Sequence, residues 1–443
     1  MKKIITLVFV VAITINSGYS QWNQQILPSP KGQLQSAKMG DLLYFIGGCD
    51  SNFNIVSTVD VYNSFSGTWL PSTNISSPRC FTASVGGDSA LYVAGGVSSW
   101  SNAVGSTVID IYKNGVWSSL TLPDSSCFGQ ALHVGNKILL AGHLKRFNAG
   151  TSTLVPSDLV FVYDEVTKSM SVDTLSQART FVAAATDGII GIFAGGSQGY
   201  NMSSDVVDIY NSITDTWSTA TLSQARTNFS GVYAGGKFFF AGGAGPGTNL
   251  SYNTVDIYDG TNWSTAQLSA ARAGIATCTA GNKVFFAGGG NVNSMQLLYT
   301  TASSVVDIYD ISQESWSTSN MNFTKVTHTA IGAGNKIFVA GGLSGSSVLD
   351  AFEIYDAGTG ISESSGSGVL KLFPNPSSGE IQLQLPSEFI GSEFYINDLA
   401  GRIILSGKVQ NSCTGINISD LVDGLYFLNI PGNKLPAIKL IKQ

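Results

Sequence analysis

The chain has 443 residues, 50 of them glycine; 43% are hydrophobic, 10% aromatic and only 12% charged, with a formal charge of −6. Charge at about half the usual ~25% share, with Gly, Ser, Thr and Asn filling the polar positions, predicts many short strands joined by turns and gives helices little support. An acidic balance with no run of basic residues excludes the electrostatic footprint that binding to nucleic acid or an anionic membrane requires.

At the N-terminus, Lys2 and Lys3 precede an apolar stretch from Ile4 to Ile15, and small Gly18 and Ser20 stand before Gln21. This pattern predicts a signal peptide over residues 1–20. The stretch is shorter than the ~18 residues a spanning helix needs, so no membrane span is expected in the mature chain. No Cys follows the cleavage point to take a lipid. Cys49, Cys80, Cys127, Cys278 and Cys413 form no CxxC pair and are too scattered for a disulfide framework. Cys80 and Cys127 stand at equivalent places in neighbouring units and read as small buried thiols.

From Trp22 onward the chain repeats about every 47 residues. Apolar strands end in small residues and glycine at "LLYFIGG", "ALYVAGG", "KILLAGH", "IIGIFAGG", "KFFFAGG", "KVFFAGG" and "KIFVAGG". After each comes a variable polar loop and a strand carrying Tyr62, Tyr112, Tyr163, Tyr210, Tyr258, Tyr309 or Tyr355. A Trp follows at 69, 117, 217, 263 and 316, with Met170 in that place in the third unit and none in the seventh. Trp22 sits one period early, so the strand missing from the seventh unit is expected from the N-terminus. Units this small cannot bury both faces alone and must lean on one another, the paired glycines allowing close approach and the aromatics supplying the faces. An open array would leave unpaired edges, which favours closure into a ring.

The Gly-Gly, Tyr and Trp pattern resembles the kelch repeat, which implies an all-β, seven-bladed kelch-type β-propeller over residues 21–357, closed by an N-terminal strand. The third unit departs most, with His143 for the second Gly and Met170 for the Trp.

In such a blade the loops after the Gly-Gly strand and those before the next innermost strand share one face. Those loops vary in length and carry His143, Arg146, Tyr200 and Tyr252, residues expected to meet a ligand at the mouth of the propeller. Arg79, Arg179, Arg226, Arg272 and Lys325, each just before an innermost strand, are expected at the same mouth, where a ring of cations could grip an acidic or sugar ligand. The structural reading is favoured over this: Asp60, Asp110, Asp208, Asp256, Asp307 and Glu353 recur two residues before six of the seven Tyr and could neutralise the cations within the scaffold, since residues repeated in nearly every unit more often serve the repeat than one ligand.

No cofactor and no metal site are expected, since His133, His143 and His328 are dispersed and neither HExxH nor GxSxG occurs. The galactose-oxidase copper site of some secreted kelch propellers needs two Tyr, two His and a Tyr–Cys crosslink. A carbohydrate-active enzyme, of that kind or with a carboxylate pair acting on a glycan, stands as the alternative to a binding module.

Residues 358–368 are rich in Gly and Ser, as a flexible linker is. Residues 369–443 then show short alternating strands, which predict a small β-sandwich. Within them, "LFPNPSSGEIQLQL", "INDLAGRII", "ISDLVDGLYFLNI" and "KLIKQ" resemble the C-terminal sorting domain of the type IX (Por) secretion system of Bacteroidetes. The motif residues include Pro374, Asn375, Pro376, Gly401, Arg402, Gly424 and Tyr426. The resemblance implies the type IX machinery as a partner and delivery through the periplasm to the cell surface or the medium. The expected protein is a monomeric exported binding or adhesion module for a glycan or protein ligand.

Overall fold

A computed structural model of the chain describes residues 22–100, 105–146, 153–199, 202–246, 250–293, 298–358, 371–385, 389–398, 402–430 and 438–443. The signal-peptide expectation, most of the expected linker, and residues Tyr200 and Gly401 lie outside them. The chain divides into two compact units, Met1–Thr359 and Gly360–Gln443.

Seven antiparallel sheets of four or five strands, with three two-stranded sheets besides, make up the first unit among the described residues, and the strands of the large sheets run outward from an innermost strand. Blade 1 runs outward through Gln35–Met39, Leu42–Ile46, Thr58–Asn63 and Thr68–Asn74. The innermost strands of blades 2 to 7 are Ala83–Gly86, Gln130–Val134, Ala183–Thr186, Ser230–Ala234, Ala276–Ala280 and Thr329–Ala333. Each innermost strand contacts the next, and that of blade 7 contacts that of blade 1, so the sheets close a circle. In blade 7 the outermost strand is Trp22–Ile26, paired antiparallel with Ala351–Asp356.

The second strand of each blade, such as Phe238-Phe239-Phe240, is buried on both faces because a neighbouring blade covers each side. The repeated Tyr and Trp are cross-strand partners: Tyr62 faces Trp69 with ring centroids 4.9 Å apart, and Tyr309 faces Trp316 at 5.0 Å. Several indoles also reach the preceding blade. Trp117 Nε1 donates to Thr73 Oγ1 at 3.0 Å and Trp217 Nε1 to Asp173 Oδ2 at 2.7 Å, which satisfies the one polar group of a large apolar ring. In blade 3, Met170 faces Tyr163 and takes the place of the Trp.

In the second unit, one sheet holds Lys371–Phe373, Glu380–Gln384 and Cys413–Asn417, and another holds Glu393–Asn397, Ile403–Lys408, Gly424–Asn429 and Ile438–Lys442. Alternating Ile381, Leu383, Phe394, Ile396, Ile416 and Leu428 from both sheets form one core, a small sandwich.

Candidate functional site

The cations expected at the mouth are inside the blades. Arg79, Arg179, Arg226 and Lys325 are 0% exposed and Arg272 is 2% exposed. Each pairs with the acid of its own blade: Arg79 with Asp110, Arg179 with Asp208, Arg226 with Asp256 at 2.5 Å, Arg272 with Asp307, and Lys325 with Glu353 at 2.6 Å. Lys31, which the sequence reading leaves out, completes the set through Asp60 at 2.9 Å.

The guanidinium also answers a local need. Arg79 Nη1 donates to the carbonyl oxygens of Gly95 at 2.8 Å and Val108 at 3.0 Å, and Arg272 Nη1 does the same to Gly288 and Val305. The Gly-Gly turn directs these carbonyls inward, where burial without a donor is costly. Desolvation by burial pulls the pKa of each of these Arg and Lys side chains down, against the pull of the paired acid. None of these side chains has an exposed face for a ligand.

Blade 3 replaces the whole arrangement. Ser126 stands where the other blades carry the cation, Phe161 where they carry the acid, and His143 where they carry the second glycine. The fully buried His143 ring lies against Phe161, with centroids 5.0 Å apart, and burial pushes its pKa down to about 4. His143 is therefore a packing residue rather than a mouth residue. Half-buried Arg146, on Leu144–Arg146, and half-buried Tyr252 line neither central cavity.

The mouth is formed instead by one residue two positions after each cation site: Gln33, Phe81, Phe128, Phe181, Asn228, Gly274 and Thr327. All seven take a left-handed φ, between 51° and 62°. Backbone hydrogen bonds from blade to blade join several of them into a collar. Phe128 N donates to Phe81 O at 3.2 Å, Gly274 N to Asn228 O at 2.8 Å, and Gln33 N to Thr327 O at 3.1 Å across the point of ring closure. A left-handed φ is natural for Gly or Asn and costs a Phe roughly 1–3 kcal/mol.

Above the collar lies a cavity of about 370 Å³ and below it a channel of about 360 Å³; all the collar residues but Gly274 line both. On one side Phe81 and Phe128 lie tilted with centroids 4.4 Å apart, Phe181 follows at 5.0 Å from Phe128, and Trp100 stands 6.4 Å from Phe81. The rest of the lining includes Gln33, Asn228 and Thr327 together with Tyr299, Val292 and Leu343. No described residue lining either cavity is Asp, Glu, Lys or Arg.

His133 and His328 have polar partners, whereas neither ring nitrogen of His143 has a hydrogen-bond partner among the described residues. His328 lines the channel, is 8% exposed, and donates from Nε2 to Ala287 O at 3.1 Å; burial pushes its pKa down to about 3, so the ring is neutral. His133 Nε2 is 2.8 Å from Glu165 Oε2, and Tyr92 donates to Glu165 Oε1 at 2.6 Å. Asp88 joins that pair to give three potential ligand atoms within 4.8 Å of one another, between blades 2 and 3 and away from the mouth. All five Cys are free thiols; Cys80 and Cys127 share a buried apolar cluster, and burial pushes Cys127 up to about 12.

In the sandwich, Asn375, between Pro374 and Pro376, accepts from Ile441 N at 2.8 Å and so ties the first sorting motif to the last. Exposed Arg402 pairs with Asp398 at 2.6 Å across its turn. Gly424 pairs with Lys442, and Tyr426 packs in the core with its hydroxyl donating to Val422 O at 2.8 Å.

Comparison with known proteins agrees with this division. Residues 371–443 match the family described as the secretion system C-terminal sorting domain. F-box/kelch-repeat protein SKIP11 of Arabidopsis thaliana is 36% identical over 69 residues, 16% of this chain and 15% of that protein. Alpha-scruin of Limulus polyphemus is 30% identical over 133 residues, 29% of this chain and 14% of that protein. The chain thus spans only about one seventh of the curated relatives it matches. The solved structure of YjhT superposes with a TM-score of 0.52 at 15% identity, over 67% of this chain and 99% of that one.

Fold and tail define the class: a protein exported through the type IX system to the cell surface or beyond. More particularly, its N-terminal unit is a kelch-type propeller and its C-terminal unit a Por secretion-system sorting domain. Among the described residues no helix is long and apolar enough to cross a membrane.

Proposed function

We propose that the protein is an exported binding or adhesion module that takes its ligand at the mouth of the propeller. In this reading residues 1–20 direct export to the periplasm, residues 21–357 form the binding propeller, residues 358–368 link it to the sorting domain, and residues 369–443 route it across the outer membrane.

The observation that carries the reading is the collar. Seven positions share one backbone conformation, while their side chains differ: three Phe, two amides, one Thr and one Gly. Residues that serve the repeat, such as the buried ion pairs, recur; residues that serve a ligand break the pattern. Keeping Phe at three strained positions, where Gly or Asn would be easier, fits a side-chain requirement at a functional site. Hydrolysis of a glycan by paired carboxylates gains no support, because the described lining of the mouth has none.

The test is retention of the purified exported protein on the extracellular material it meets, compared with a Phe81→Gly/Phe128→Gly/Phe181→Gly variant. The expected result is retention of the parent and loss in the variant, with both still folded. Equal retention of the two would overturn the reading.

A further inference from the structure

Among the described residues the lining of the mouth combines aromatic rings with uncharged polar groups, and none carries a formal charge. Phe81, Phe128 and Phe181 form an apolar arc on one side. The rest of the wall combines the amides of Gln33 and Asn228, which both donate and accept, with Thr327, Tyr299, Val292 and Leu343.

An ionic ligand would give up its hydration here for no countercharge, an expensive exchange. A ligand with one flat apolar face and a periphery of hydroxyls, each both donor and acceptor, matches both walls at once. We infer that the mouth binds a neutral glycan, its sugar rings packed against the Phe81–Phe128–Phe181 arc and its hydroxyls bonded to Gln33 and Asn228. This rests on the binding role proposed above and narrows it to one ligand class. The cavity of about 370 Å³ falls in the range of small-molecule sites, roughly 300–1,000 Å³.

The full exported protein is titrated with neutral gluco-, manno-, galacto- and xylo-oligosaccharides and, in parallel, with sulfated and uronate oligosaccharides and an uncharged peptide library. The expected result is binding of a neutral oligosaccharide with an affinity unchanged between about 0.1 M and about 1 M salt, since no charge is there to be screened. Phe128→Ala and Asn228→Gly, which keeps the left-handed backbone, should each weaken it about tenfold, the scale of one lost stacking or hydrogen-bond contact. Thermal melting of both variants confirms that they remain folded.

Salt-sensitive binding of the anionic oligosaccharides alone, or of peptides alone, lost in the same variants, would overturn the ligand class and leave the binding role standing. No binding by any probe, or binding that survives both substitutions in folded protein, would overturn both.

Discussion

Trp22 and Tyr355 lie directly across from each other in blade 7, with ring centroids 5.1 Å apart, although 332 positions separate them in sequence. Trp22 Nε1 also donates to Ser319 Oγ of blade 6 at 2.9 Å, so one N-terminal residue holds two blades from the far end of the chain. Trp22→Ala removes a 5%-exposed side chain and should cost about 3–5 kcal/mol. At about 2–4 °C per kcal/mol this lowers the melting temperature by on the order of 10 °C. Deleting residues 21–28 should cost more; an unchanged calorimetric transition for that truncation would refute closure by the N-terminal strand.

Arg179→Ser leaves Asp208 buried without its partner and should destabilise by about 3–5 kcal/mol. Blade 3 indicates the repair. Arg179→Ser with Asp208→Phe recreates its Ser126 and Phe161 pair while keeping Gly196, whose φ of 106° a side chain would strain, and should recover part of the loss by removing the stranded charge. Denaturant midpoints compare the variants; a double variant less stable than the single would contradict the equivalence.

At the collar, Phe128→Gly relieves a positive φ of 60° and gives up the contacts of a half-buried ring. The two effects are each roughly 1–3 kcal/mol and opposite in sign. Stability should therefore change by no more than about 2 kcal/mol while ligand retention falls, a separation that urea denaturation and a binding assay read together.

The two buried His give the fold an acid limb. Both are neutral in the folded protein, with pKa values pushed down to about 4 for His143 and about 3 for His328 by burial. The unfolded chain, with an ordinary His pKa of about 6.5, binds protons the folded one refuses. Their stabilising contribution is complete above about pH 6.5 and falls progressively as pH drops toward 4. His143→Phe should flatten part of that limb, seen as a smaller drop in melting temperature from pH 7 to pH 5.

What repeats was legible in the sequence; what breaks the repeat was harder to read. Tyr62, Trp69 and their equivalents stand out because every blade needs the same cross-strand face. The acids two residues before six of the seven Tyr pointed to their buried cations for the same reason. Lys31 was missed, although it lies two residues before a collar position as the other cations do. The Phe arc escaped because left-handed φ has no signature in a Phe. Its one signal was the recurrence "CFT", "CFG" and "TFV" at residues 80–82, 127–129 and 180–182. His143 misled the reading in the other direction. A His on a loop beside a mouth reads as a ligand contact, and only the matching loss of an acid at Phe161 marks it as a packing residue.

The most direct measurement is hydrogen–deuterium exchange of the exported protein with and without a neutral oligosaccharide pool. If ligand sits at the mouth, protection gathers in the peptides that contain Phe81, Phe128, Phe181 and Thr327. Protection confined to the opposite side, around Asp88, His133 and Glu165, would contradict it.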